Sequence, residues 1–151
     1  MRLTLLAVGK ADGTPEQALV ELYLRRLPWP TRVVEVVERR RLHAAELTRR
    51  EGELLLAKVP AGAHLVALDR AGPALDSAGF AGLLGQWRER GPRDLAFVIG
   101  GAEGLHQVVA ARAQTRLSLG PMTWPHLLAR VLLAEQLYRA ASILAGHPYH
   151  R

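Results

Sequence analysis

The amino-acid sequence predicts an α/β fold, a mostly parallel sheet covered by helices on both faces. Three observations carry that expectation. Short apolar runs rich in β-branched residues recur along the chain, helical stretches with their own start and stop signals separate them, and each run is apolar almost throughout. Strand alternating with helix marks βαβ units, and strands without a polar face are those buried on both sides.

The first run, Leu3 to Val8, follows Arg2 and has the flavour of a secretory leader. It is too short and lacks a convincing cleavage site, so it reads as a buried first strand. Thr14, Pro15 and Gln17 then supply an N-cap, a first-turn proline and the third-position partner of a capping box. The helix they open should stop before Pro28 and Pro30. A second strand is expected over Arg32 to Val37, and a second helix over Ala44 to Lys58, closed by Pro60 and Gly62. The third strand, His64 to Leu68, precedes a helix from Ala78 to Arg90 that Gly91 and Pro92 end. Asp94 to Ile99 forms the fourth strand, a short helix follows Gly104, and Thr115 to Leu119 forms the fifth strand. The last helix occupies Leu127 to Ala145. Its apolar residues cover far more than one stripe, while Glu135, Gln136 and Arg139 share one side. Such a helix fits central burial in a monomer, or burial against its own sheet on one face and a second copy of the chain on another.

The chain has 151 residues, the size of one domain able to bury its own core, and a single domain over 1–151 is expected. Hydrophobic residues make up 49% and charged residues 23%, which is globular composition. The chain has no cysteine, so disulfides and thiolate chemistry are excluded and a reducing compartment, the cytoplasm, is expected. Arg130, Glu135 and Arg139 interrupt the longest apolar stretch, which argues against a membrane span. Net charge is +6, and only Lys10 and Lys58 of the 20 basic residues are lysine. That balance suits an anionic partner, nucleic acid first, although arginine bias in the genome produces the same count. The densest patch is the run from Glu38 to Leu42, ERRRL, which an ordinary solvated face also explains.

Ligands of open parallel sheets bind beyond the carboxyl ends of the strands. Three loops of that kind stand out: LDRAG at 68–72, IGGAEG at 99–104 and LGPMTWPH at 119–126. The glycines of the second let backbone approach a ligand. A dinucleotide fold fits badly, because the glycines follow the fourth strand and no acid waits about 20 residues on to hold a ribose. His147 and His150 share an HxxH spacing without further ligands, so no metal is expected. No serine stands in a nucleophile elbow, and covalent catalysis is not expected either. The tail, HPYHR, places a proline, a tyrosine, two histidines and an arginine where chains normally fray.

Taken in order, LLAVGK, ELYLRRLP, LDRAG, FVIGGAEGL, LSLGPMTWPHLLARVLLAEQLYRA and HPYHR resemble one family along the whole chain. It is the bacterial 23S rRNA pseudouridine N3-methyltransferases, ribosomal large subunit methyltransferase H, of the SPOUT superfamily. The resemblance implies a five- to six-stranded sheet with a C-terminal trefoil knot, a homodimer, and S-adenosylmethionine bound among the knot loops. The implied cofactor contacts are Leu68, Gly100, Leu119, Gly120, Pro121, Met122, Thr123 and Trp124. The implied substrate is a pseudouridine in the intersubunit stem-loop of 23S rRNA, on assembled ribosomes. His126, Arg139, Tyr149, His150 and Arg151 match the polar positions expected around the reacting base. Of these, Tyr149 is expected to stack on or hydrogen-bond the base, Arg151 to grip phosphate or an imide oxygen, and either His126 or His150 to take the proton, with the tail contributing to the partner subunit's pocket. The chain departs from its relatives at Ala102, where proline is frequent, at Pro73, where lysine is frequent, and over Val37 to His43, which is short. Two rival classes remain: a non-catalytic basic RNA-binding or ribosome-associated dimer, and a weaker nucleotide-dependent oxidoreductase that lacks its ribose acid.

Overall fold

The computed structural model describes residues 1–150; the expectation placed on Arg151, and that on the side chain of His150, lie outside the described residues. Its elements are β1 (Arg2–Val8), α1 (Pro15–Leu24), β2 (Thr31–Val36), α2 (Ala44–Leu56), β3 (His64–Leu68), α3 (Ser77–Arg90), β4 (Asp94–Ile99), α4 (Gln107–Arg112), β5 (Thr115–Leu117) and α5 (His126–Leu144), closed by a 3-10 turn, Pro148–His150. The strands form one sheet in the order β2-β1-β4-β3-β5, and every pairing is parallel. The mostly parallel expectation thus becomes a wholly parallel sheet among the described residues.

Side chains alternate across a strand, so one strand serves two cores. Leu3, Leu5 and Ala7 of β1 point with Phe97 and Leu95 of β4 into a core that Phe80, Leu84 and Trp87 of α3 and Leu133, Leu137 and Ala140 of α5 fill. Leu6 and Val8 point the other way, joining Ala96, Val98, Val36, Leu65, Leu55 and Val109 under α2 and α4. Phe97, Leu6, Leu84 and Leu137 are fully excluded from water. Each such side chain contributes about 1.5–3 kcal/mol of transfer free energy.

Local chemistry explains where elements begin and end. Thr14 caps α1 by accepting from the Gln17 N–H at 3.2 Å. The reciprocal arm of the expected capping box lands one residue early: Gln17 accepts from the Gly13 N–H at 2.9 Å, because the Thr14 N–H already donates to the Ala11 carbonyl at 3.0 Å. β5 is two residues shorter than expected. Ser118 Oγ binds both the N–H and the carbonyl of Gly120, each at 3.1 Å, which turns the chain out of the sheet. In α5 the expected first residue, Leu127, is preceded in the helix by His126, and Pro125 stands at the cap without a side-chain bond.

The buried polar tie of the fold is Arg130, which is 3% exposed. Its guanidinium donates from Nη1 to Glu35 at 2.7 Å and from Nη2 to the carbonyls of Val8 and Gly9 at 2.5 and 2.7 Å. Glu35 also accepts from the Ala11 N–H at 2.9 Å. One arginine on α5 therefore holds the exits of β1 and β2 together. Among the described residues no helix is long and apolar enough to cross a membrane.

Candidate active site

All three loops singled out in the sequence leave the sheet at its carboxyl edge. The first lies across β5: the Asp69 N–H donates to the Leu117 carbonyl at 2.8 Å and the Ser118 N–H to the Pro73 carbonyl at 3.0 Å. A Cβ at Gly72 would sit 2.9 Å from the Leu117 nitrogen, so only glycine permits this crossing. The glycine loop folds on itself, the Gly104 N–H donating to the Gly101 carbonyl at 3.0 Å. A Cβ at Gly100 would collide with the Gly104 carbonyl group. Gly120 holds the third loop at φ +104, with open space where a side chain would project.

Together the loops enclose a cleft of two adjoining lobes, with volumes of about 300 and 430 Å³. The first lobe is bounded by Leu68, Gly100, Gly104, Met122, Thr123 and His126. The second runs under Leu119 and Trp124 to Phe80, Leu133, Ser77 and Gln136. Leu68, Leu119, Gly120 and Trp124 face both. Of the eight residues expected to contact a cofactor, seven line the cleft; Pro121 is exposed and lines neither lobe. The apolar walls, the backbone-rich rim and the few polar groups suit a flat heterocycle with a polar appendage, in a volume normal for such ligands. Among the described residues no group of three or more His, Cys, Asp or Glu could hold a metal ion.

Of the five polar residues expected around the reacting base, the three whose side chains are described, His126, Arg139 and Tyr149, divide between two places. His126 borders the first lobe, and burial, then the charge of Arg130, holds its imidazole below the usual histidine range. Arg139 and Tyr149 sit together elsewhere. Arg139 lies 13 positions along α5 from His126, about 20 Å at 1.5 Å per residue. There Arg139 pairs with Glu135 at 2.6 Å, its guanidinium lies 5.1 Å from the Tyr149 ring centre, and Tyr149 meets Tyr138 edge-on at 4.6 Å. The Tyr149 hydroxyl donates to Glu135 at 3.3 Å. Burial, a hydrogen bond with Tyr23 and the Glu135 carboxylate push this phenol up to about 12, so it stays protonated and acts as a donor. Tyr149 is thus anchored on α5 of the same chain, and neither it nor Arg139 lines the cleft.

Sequence reasoning missed the floor of the second lobe. Gln136 carries the tail cluster to it, donating to Glu135 at 2.8 Å and accepting from Ser77 Oγ at 2.7 Å. Its place beside Glu135 and Arg139 on the polar side of α5 was the available signal. Arg130 was missed as well; a charge on the apolar side of a helix marks a buried tie.

Comparison with known proteins adds to this geometry. The family model described as "Predicted SPOUT methyltransferase" matches residues 1–150. A protein of Rhodospirillum centenum named ribosomal RNA large subunit methyltransferase H is 56% identical over 151 residues, covering all of this chain and 99% of that one. Its namesake in Paramagnetospirillum magneticum is 55% identical over the same shares. A solved structure from Legionella pneumophila, in complex with the bound cofactor SAM, superposes with a TM-score of 0.51 at 13% identity, over 93% of this chain and 66% of that one, which is a likeness of fold.

Proposed function

The chain belongs to the SPOUT methyltransferase family, and from that premise we propose that it methylates large-subunit rRNA at N3 of a pseudouridine, on assembled ribosomes in the cytoplasm, using S-adenosylmethionine. One observation carries this reading: three strand-end loops converge on a single two-lobed cleft. Family membership implies the trefoil knot, and the close approach of Gly72 to the β5 backbone supports that reading.

In this reading Leu68, Leu119, Phe80 and Leu133 wall a nucleoside into the second lobe, Ser77 and Gln136 meet its polar edge, and Gly100, Thr123 and Trp124 bound the neighbouring lobe. When bound, the cofactor supplies an electrophilic methyl group on a sulfonium and leaves as a neutral thioether. Most of the protein's work is then positioning, together with a place for the N3 imide proton. His126 borders the first lobe in its neutral form and has a ring nitrogen able to take that proton. Arg139 and the Tyr149 hydroxyl supply a cation and a donor for the anion that develops on the base.

A second subunit reconciles the two separated clusters. Met122 and Trp124 of the cleft lining are 69% and 41% exposed, and Leu128 in the first turn of α5 is 39% exposed. These exposed large apolar groups suit burial against another copy of the chain. The homodimer then sets the tail cluster of one subunit at the cleft of the other, with His150 and Arg151 completing it.

Calorimetry with S-adenosylmethionine tests the cofactor, with saturable heat expected; folded protein that gives none leaves the non-catalytic RNA-binding reading. Mass spectrometry of rRNA from cells lacking the chain tests the substrate, and a single pseudouridine should be found without its methyl group. Arg139→Ala should lower methylation of ribosomes about tenfold or more. Its ion pair with Glu135 lies at i,i+4 on a half-buried surface, so the cost in stability is only about 0.3–0.5 kcal/mol. A melting temperature that falls in step with activity would make Arg139 a structural residue instead.

A further inference from the structure

The arginine run after β2 takes no part in the cleft, yet its placement carries an inference that rests on the rRNA reading above. All strands exit on one edge. The register pairs Val8 with Val36, and the Gly9 N–H donates to the Val36 carbonyl at 2.9 Å, which sets the exits of β1 and β2 side by side. Lys10 and Arg39 leave from those exits and, with Gly9, Glu35 and Val37, bound a shallow groove. Gly9 in turn abuts the cleft, since a Cβ there would lie 3.5 Å from His126 Nε2. The groove begins where the cleft ends.

Ion pairing decides which cations are free to bind something else. Glu38 is shared by Arg40 at 3.1 Å and Arg50 at 3.2 Å, and chiefly the Arg40 hydrogen bonds hold its carboxyl down at about 2. Those two arginines are occupied. The acid of the groove, Glu35, is held by Arg130 and the Ala11 N–H. Lys10, Arg39 and Arg41 are exposed and carry no ion pair among the described residues. Arg70, likewise exposed, stands on the far side at the first lobe, three strand spacings or roughly 14 Å from the β2 exit. Of the acids on the neighbouring elements, Glu16 and Glu46 stand in the first turns of α1 and α2, Asp12 lies on the loop before α1, and none of the three lines the groove.

We propose that Lys10, Arg39 and Arg41 form a phosphate track that holds the backbone of the substrate RNA beside the cleft, so that the target base enters over His126. Guanidinium forks grip phosphate in two places at once, and such contacts set register and orientation without reading sequence.

The test uses the full chain and ribosomes purified from cells lacking it. One triple variant carries Lys10→Gln, Arg39→Gln and Arg41→Gln. A control carries Lys58→Gln, Arg90→Gln and Arg112→Gln, which removes the same charge from the C-terminal ends of α2, α3 and α4 at the opposite edge. The track variant should bind ribosomes at least tenfold more weakly near physiological salt. Its slope of log affinity against log salt should be shallower by about 2–3, the value for three lost phosphate contacts. The control should match the unaltered protein, and calorimetry with S-adenosylmethionine should be the same for all three. Equal weakening in both triples would show a field effect of net charge and overturn the track, as would an unchanged salt slope in the track variant. Unaltered protein that neither binds nor methylates the ribosomes would instead overturn the rRNA reading itself.

Discussion

Removal of residues 149–151 is expected to reduce methylation of ribosomes at least a hundredfold while weakening S-adenosylmethionine binding less than tenfold. The asymmetry follows from where the structure puts Tyr149: on its own α5, against Tyr138, Arg139 and Glu135, and outside the lining of its own cleft. A hundredfold loss is about 2.7 kcal/mol of transition-state stabilisation. That is the size of one or two charge-assisted hydrogen bonds to a developing anion. The fold should notice the deletion far less. The edge-on contact of Tyr149 with Tyr138 contributes about 0.5–1.5 kcal/mol, which lowers the melting temperature by roughly 2–5 °C in a domain of this length. Mixing experiments decide whether the tail acts across the proposed dimer. Mixed dimers of a tail-deleted chain with a chain whose cleft is disabled by Gly120→Val, which strains the φ +104 turn that both lobes share, should recover activity, because one intact cleft then meets one intact tail. If the mixture stays inactive, the tail serves its own subunit.

The fold was legible because its instructions are local. The helices carry their own punctuation: Thr14 before α1, and Gly91 after α3; the cap of α3, Asp76 with its carboxylate on the Gly79 N–H at 2.7 Å, is just as local, and sequence reasoning missed it. The three ligand loops were legible for the same reason, being defined by the strands they leave. Strand order was not legible. It is set by which faces of the helices find each other, and no short stretch records that β4 lies between β1 and β3. The depth of the cleft was hidden likewise, since Phe80 and Leu133 read as ordinary core residues and become lobe walls only when α3 and α5 pack together. Individual side chains also changed meaning in context. Arg139 and Tyr149 belong to the polar set expected around the base, yet in one chain they face each other and not His126.

Arg130→Ala should be the most destabilising single change near the site. Its guanidinium ties α5 to Glu35 and to the carbonyls of Val8 and Gly9 while only 3% exposed. Breaking a wholly buried ion pair costs about 3–5 kcal/mol. Glu35 keeps 29% of its side-chain surface in water and can rehydrate, and Arg130 Nε has no partner to lose. About 2–4 kcal/mol is therefore expected, a fall of roughly 5–15 °C in melting temperature. The same change should move His126. Its pKa lies below the reference value because of burial first and the Arg130 charge second, so removing the arginine should return it part of the way upward. The consequence for pH has a definite sign. With the folded pKa below the unfolded value of about 6.5, the unfolded chain binds more protons in that interval, and stability is lost as pH falls through it. The variant should lose less stability than the parent over that window, despite starting lower. An NMR titration of the His126 ring in both proteins reads the shift directly. An unchanged His126 pKa beside a lowered melting temperature would leave Arg130 as a strut and remove its electrostatic hold on the imidazole.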